Sequence, residues 1–288
     1  MTDRERLYRT EGVVLRRTDF GEADRLLVIF TPGLGKLRVL AKGVRKVPSR
    51  KAGHVEPFMR TQFLIARGRN LDIVTQAEAI ETYLGLREDL LRATYGFYMV
   101  ELVDAFTKEG EENQALYGLL VGGLARLAAG DDPALLARFF ELRLLTFVGY
   151  RPELQRCVSC GKKHEPARVY FSPADGGARC QPCGREAADD VELSLNAFKV
   201  LRYLQGREYE AVVGLRLRVG TTREVQAVLH RYLTYVLERN LKSVSFLSML
   251  QSEQVPAPQS LTERGKEGRF SDSRPVGAGP GEQPPYGV

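Results

Sequence analysis

The only four cysteines in this 288-residue chain form two pairs of identical spacing, Cys157-x2-Cys160 and Cys180-x2-Cys183, separated by 19 residues. No other feature restricts the fold as tightly. Two residues between thiolates let one tight turn aim both sulfurs at a single ion, and two such turns complete a tetrahedral four-thiolate zinc site. Gly161 and Gly184 follow the pairs at matching positions. Glycine at positive φ there would swing backbone N–H groups toward the sulfurs and stabilise their charge. Arg156, Lys162, Lys163, Arg179 and Arg185 are near enough in sequence to offset the residual negative charge of four thiolates on one Zn2+. A reactive Cys-x-x-Cys usually occurs once, at a helix N-terminus after a strand, and two matched pairs in turns argue against that chemistry. Catalytic zinc keeps one position open and usually recruits histidine; with four thiolates available, His164 is not needed. The expectation is one structural Zn2+ held by Cys157, Cys160, Cys180 and Cys183.

Around this segment the hydrophobic period changes twice. From Tyr8 to about Ile80 the chain reads as short β-prone runs with broken alternation: EGVVLRR, DRLLVIF, GKLRVLAKG, FMRTQFLIARG and LDIVTQAEA. Turn signals separate them at Thr31-Pro32-Gly33 with Gly35, at Pro48–Gly53, and at Gly68-Arg69-Asn70. Five short strands suit a small barrel, of which the oligonucleotide-binding (OB) type is the commonest of this size, with an SH3-like barrel as the alternative. After Glu81 apolar residues recur at helical spacing, and Gly110, Gly130 and Gly149 stand near apparent helix ends. Tyr95, Phe97, Tyr98, Phe139, Phe140 and Phe147 are assigned to the core of that bundle. Helical periodicity resumes behind Ser194, a predicted N-cap, and again from Thr222, where Val225, Val228, Leu229, Tyr232, Leu233, Val236, Leu237 and Leu241 form one stripe.

The predicted organisation is α+β. It comprises a five-stranded OB-type barrel (1–80), a helical domain (81–250) with the zinc segment inserted at 157–183, and a disordered tail (251–288) holding six Pro and six Gly. No apolar run approaches the roughly 18–20 residues that span a membrane. Charge dots the first residues where a signal core would lie, so a cytoplasmic protein is expected.

Charge is unevenly placed. Residues 1–80 carry 16 Lys and Arg against 9 Asp and Glu, residues 81–156 carry 8 against 12, and residues 199–242 carry 9 against 4. Six of those cations (Arg38, Lys42, Arg45, Lys46, Arg50, Lys51) lie between Arg38 and Pro57 with Glu56 as the one acid. Basic flanks around an acidic middle suit a protein that binds a polyanion with some surfaces and something else with others. Catalytic signals are lacking. The three histidines (His54, His164, His230) occur in unrelated contexts, no phosphate-loop, nucleophile-elbow or zincin motif appears, and Asp19, Glu22 and Asp24 read as turn and strand-edge charges. The chain reads as a binding protein, not an enzyme.

The stretch EGVVLRRTDFGEADRLLVIFTPGLGKLRVLAKGVRK resembles the opening barrel of the bacterial RecO recombination mediators. The shared elements are Arg16-Arg17, Gly21-Glu22 with Asp24, Thr31 with Gly35, and Ala41-Lys42-Gly43 with Arg45-Lys46. The four cysteines agree with those members that carry a zinc insertion, and the resemblance covers about residues 8–250. It implies an OB barrel, a helical domain, binding of single- and double-stranded DNA, and annealing of complementary strands. It also implies work with RecR that helps replace single-strand binding protein by RecA.

The family motif maps DNA binding onto Lys42, Arg45 and Lys46; charge alone adds Arg16, Arg17, Lys36, Arg38, Arg50 and Lys51. The barrel lacks Trp and its few aromatics (Tyr8, Phe20, Phe30, Phe58, Phe63) are expected mostly to face the core. Phosphate neutralisation should therefore dominate over base stacking. A second DNA surface is expected at Arg231, Arg239 and Lys242 on the outer face of the last helix. An RNA-binding or ribosome-associated zinc-ribbon protein is the alternative on residues alone, and a zinc-dependent enzyme acting on nucleic acid the third.

Overall fold

In the computed structural model, which describes residues 6–165, 167–184 and 190–237, the β-prone runs become five strands. They are β1 (Leu7–Phe20), β2 (Asp24–Thr31), β3 (Gly35–Ala41), β4 (Arg60–Ala66) and β5 (Asp72–Glu81). They close into a barrel in the order β1-β2-β3-β5-β4, with β3 and β5 parallel and the other pairs antiparallel. This is the OB-like order, which decides between the two barrel types. One long strand serves two neighbours: β1 pairs with β4 from Leu7 to Val13 and with β2 from Val13 to Phe20, and its register shifts between Val14 and Arg16. A bulge of this kind bends a strand enough to close a barrel.

The broken alternation has a physical cause. Val14, Leu27, Ile29, Val39, Phe63, Ile65 and Val74 fill the barrel interior. Their neighbours Val13, Leu15, Val28 and Phe30 point outward yet are equally buried, because they share a second core with the helices. Strands covered on both faces lose the polar half of their pattern.

Helices α1 (Leu90–Phe106), α2 (Gln114–Ala129) and α3 (Pro133–Phe147) each begin at a side-chain cap. Asp89 accepts from Arg92 N, Asn113 from Leu116 N, and Asp132 from Ala134 N and Leu135 N, with Pro133 in the first turn. Tyr95, Tyr98, Phe139 and Phe140 are buried as expected, but Phe97 and Phe147 are exposed. Phe97 lies off the buried stripe of α1 and packs edge-on against Phe58, with ring centres 4.5 Å apart. It borders a groove of 660 Å³ between β1 and α1.

Beyond α3 come β6 (Val169–Ser172), β7 (Gly177–Cys180), α4 (Gln181–Gly184) and β8 (Val191–Leu193), the strands forming a sheet in the order β7-β6-β8. They were not anticipated, since strands of three or four residues are too short to show a period. The chain then returns to helices: α5 (Leu195–Gly206), α6 (Tyr209–Val212) and α7 (Val219–Leu237). Ser194 caps α5 through Ala197 N, and its own N–H and hydroxyl bind the Glu224 carboxylate of α7. Helix α7 buries Val225, Val228, Leu229, Tyr232 and Leu233 and packs on α3 and α5. Helices on both sides of the cysteine segment thus share one core. Among the described residues no helix is long and apolar enough to cross a membrane. Leu241 and the 251–288 tail lie outside the described residues.

A buried ionic cluster that the sequence did not announce lies inside the bundle. The Tyr98 hydroxyl donates to Glu141 Oε1 at 2.5 Å, and Arg138 Nη2 donates to the same oxygen at 2.6 Å. Burial pushes the Glu141 carboxyl up, opposed by Arg138 and by the tyrosine hydrogen bond. Burial and the nearby carboxylate likewise hold the Tyr98 phenol well above its ordinary value. The pair persists because each charge has its partner in contact.

Candidate metal centre and nucleic-acid interface

The four cysteine sulfurs come together, all within 4.8 Å of one another, and are the only such cluster of ligand-type side chains among the described residues. Two short elements deliver them. Cys157 and Cys160 flank a turn in which Gly161 N donates to Cys157 O at 2.8 Å, and Gly161 has φ +71. Cys180 ends β7 and Cys183 lies in α4. Matching spacings therefore hide unlike backbones: Gly184 is helical and not at positive φ, contrary to expectation. It is glycine for a different reason, since a Cβ would overlap the Tyr170 ring.

Cys160 Sγ and Cys180 Sγ are 3.8 Å apart, about the edge of a tetrahedron whose metal–sulfur arms are ~2.3 Å. Backbone N–H groups of Cys160 and Cys180 reach Cys157 Sγ at 3.5 and 3.3 Å. Burial opposes ionisation of the Cys157 thiol, but these backbone donors with Ser159 N bring it down to about 6. The hydrogen bond to Cys180 and the other sulfurs push Cys183 up to about 12. Four thiolates cannot crowd together without a cation, so the donor set fits a divalent, thiophilic ion. Of the cations expected to offset the sulfurs, Arg179 is taken by Asp175 and Asp190, Arg156 bonds Gly161 O, and Arg185 lies outside the described residues. His164 stays out of the cluster. Its Nε2 lies 3.2 Å from Ala178 O, and its ring meets Phe198 edge-on.

At the barrel, the loop after β3 presents three exposed cations close together in sequence. Val44 is buried in the barrel core and anchors the segment after β3. Gly43 N donates to Asp24 Oδ1 at 2.7 Å, Arg45 N to Ala23 O at 2.9 Å, and the Arg45 guanidinium to Gly21 O at 3.2 Å. These bonds fasten the loop to the β1–β2 turn and leave Lys42, Arg45 and Lys46 exposed. Asp19, Glu22 and Asp24 prove to be turn and strand-edge residues, with Asp19 pairing Arg25 and Arg45.

The other predicted cations are differently placed. Arg17 and Arg25 share Glu56. Lys36 Nζ donates to the Asp104 carboxylate and carbonyl, Arg16 lies 3.5 Å from Asp104, and Arg38 lies 3.6 Å from Glu109. Acids of α1 and the following loop thus face three of the nine. Lys51 donates to Val74 O at 3.0 Å, and burial holds its ammonium below the usual lysine range. Lys42, Lys46 and Arg50 make no ion pair among the described residues. Two basic residues had been passed over. Arg9 and His54 join Arg50 and Lys51 around a 580 Å³ depression over β4 and β5. Only proximity in the barrel could reveal Arg9, which is far from that loop in sequence, whereas His54 lies within it. Arg231 is exposed on α7, whereas Arg239 and Lys242 lie outside the described residues.

An OB-like barrel with a pinned cationic loop, joined to a helical body that carries four clustered cysteines, defines a class: OB-barrel proteins with an appended helical domain. Within that class the chain belongs to the RecO family of non-enzymatic recombination mediators. Residues 4–83 match the family description "Recombination protein O N terminal" and residues 87–245 match "Recombination protein O C terminal". The chain is 45% identical over 259 residues to DNA repair protein RecO of Roseiflexus sp. (strain RS-1), covering 90% of this chain and 91% of the relative. It is 42% identical over 243 residues to that of Pelotomaculum thermopropionicum, covering 84% and 94%. For Moorella thermoacetica the match is 35% over 277 residues, covering 96% and 98%.

Proposed function

We propose that this protein binds single- and double-stranded DNA, anneals complementary strands, and acts with RecR to help RecA replace single-strand binding protein on gapped DNA. Family membership supports the role, and one observation carries its mechanism: Lys42, Arg45 and Lys46 are exposed on a loop held in place by Val44 and by the β1–β2 turn. Two strands approaching each other repel through their phosphates. A prearranged cationic surface that contacts both lowers that barrier without any covalent step.

Arg50 and Lys51 extend the surface on this reading. Arg16, Arg17, Lys36 and Arg38 contribute less, because acids already face them. Arg231, with Arg239 and Lys242, remains the proposed second strand contact. The metal is Zn2+ and structural, held by Cys157, Cys160, Cys180 and Cys183 to fold the insertion. A cytoplasmic site of action follows from the role.

The test is annealing of complementary oligonucleotides coated with single-strand binding protein, comparing the unaltered chain with Lys42→Glu/Arg45→Glu/Lys46→Glu. Loss of annealing with a normal unfolding transition supports the proposal; unchanged annealing overturns it. RNA competing better than DNA would also overturn it.

A further inference from the structure

Phe20 closes β1 opposite Asp24, at the turn into β2, and 51% of it is open to solvent. It is the exception among barrel aromatics expected mostly to face a core, as the buried Phe30, Phe58 and Phe63 do. A single exposed apolar side chain is ordinary on a protein surface, but three observations set this one apart. The loop bearing exposed Lys42, Arg45 and Lys46 is bonded to this same turn, through Ala23 O, Gly21 O and the Asp24 carboxylate. A second apolar side chain, Val47, stands fully exposed on that loop directly after Lys46. The ring is also carried by rigid backbone, since Phe20 is in the β1–β2 ladder and the turn is bolted to its neighbour. The turn between the first two strands is, moreover, one of the loops with which OB barrels take up oligonucleotides.

We propose that Phe20 is a stacking platform for one unpaired nucleobase, with Lys42, Arg45 and Lys46 holding the flanking phosphates and Val47 the adjoining sugar or base. The inference deepens the DNA-binding reading and rests on it. Stacking uses the π-face of a base and leaves its pairing edge free, so a strand held this way stays ready to pair. Bases inside a duplex are already stacked, so Phe20 favours single strands.

The chain has no Trp, so Phe20→Trp installs a lone indole. Titration of that variant with a thymidine oligonucleotide at low salt should quench its emission to saturation, and an abasic sugar–phosphate oligomer of equal length should not. Phe20→Ala should weaken oligonucleotide binding by on the order of tenfold. The salt slope, abasic-oligomer binding and duplex binding should be unchanged, and Phe20→Tyr should bind as the unaltered chain does. Unquenched emission at saturation, or equal affinity of the unaltered chain for the thymidine and abasic oligomers, overturns the stacking proposal while steep salt dependence keeps the electrostatic reading intact. Absence of any DNA binding at low salt overturns both. The indole readout remains decisive even if Phe20→Ala fails to fold.

Discussion

Lys36 on β3 and Asp104 on α1 tie the barrel to the helical body. The ammonium lies 3.0 Å from the Asp104 carboxylate and 2.6 Å from the carbonyl oxygen of the same residue, with only 12% of the lysine side chain exposed. A cation that looks available for DNA in the sequence is thus engaged in holding two parts together. Lys36→Met is expected to cost about 1–3 kcal/mol of stability, the range for losing hydrogen bonds to a charged, partly buried group. DNA affinity should stay close to that of the unaltered chain. Urea unfolding and oligonucleotide binding measured on one preparation check both halves; a large loss of DNA affinity at full stability would contradict the assignment.

Inside the bundle, Tyr98→Phe removes one of two hydrogen bonds to Glu141 Oε1 while keeping the ring. A loss of about 1–3 kcal/mol is expected. Glu141→Ala should cost more, on the order of 3–5 kcal/mol, because it strands the Arg138 guanidinium in the core. If the two variants unfolded at the same urea concentration, the guanidinium would not depend on that carboxylate.

Replacing Cys157 and Cys160 by Ser takes two ligands from one four-sulfur cluster. One zinc per chain should fall to none, with soluble yield dropping and the helical body less stable, since structural zinc contributes folding free energy directly. Zinc analysis of the purified protein, together with thermal unfolding, reads out each effect.

Burial, and then the positive charge of Arg138, hold the His230 imidazole below its ordinary range. As pH falls below about 6.5 the unfolded chain therefore takes up the proton before the folded one does. The stability contributed by neutral His230 is present above that value and is lost as pH drops through the folded pKa. The urea midpoint should fall between about pH 7.5 and about pH 5.5, and His230→Gln should fall less. Parallel curves for the two proteins would refute the linkage.

Salt offers a check on the grip itself. About five phosphate contacts on a single strand, at roughly 0.7 counterions each, give a slope near −3.5 in log K against log salt. The triple reversal at Lys42, Arg45 and Lys46 should flatten that slope as well as lower the affinity. A slope close to zero for the unaltered chain would rule out an electrostatic grip.

Much of this was legible in the chain. The five strands, the caps at Ser194 and Gly130, the α7 stripe and the joining of four sulfurs follow from local period, turn chemistry and ligand spacing. What escaped depends on contacts remote in sequence. Nothing in Lys36 or Arg38 reports that Asp104 and Glu109 fold back onto β3. Equal spacing could not tell that Gly184 is helical while Gly161 is left-handed, because a neighbouring ring, Tyr170, rather than a turn demands the glycine. The exposure of Phe20 is not legible in the sequence, because composition counts aromatics without saying which of them end a strand.

The outward side chains Val13, Leu15, Val28 and Phe30 belong to the same core as the helices. Cutting the chain after β5 would leave this wall wet and sticky. The barrel is therefore not a cassette that could be grafted elsewhere alone; any transplant must carry α1 and α2 along as its lining.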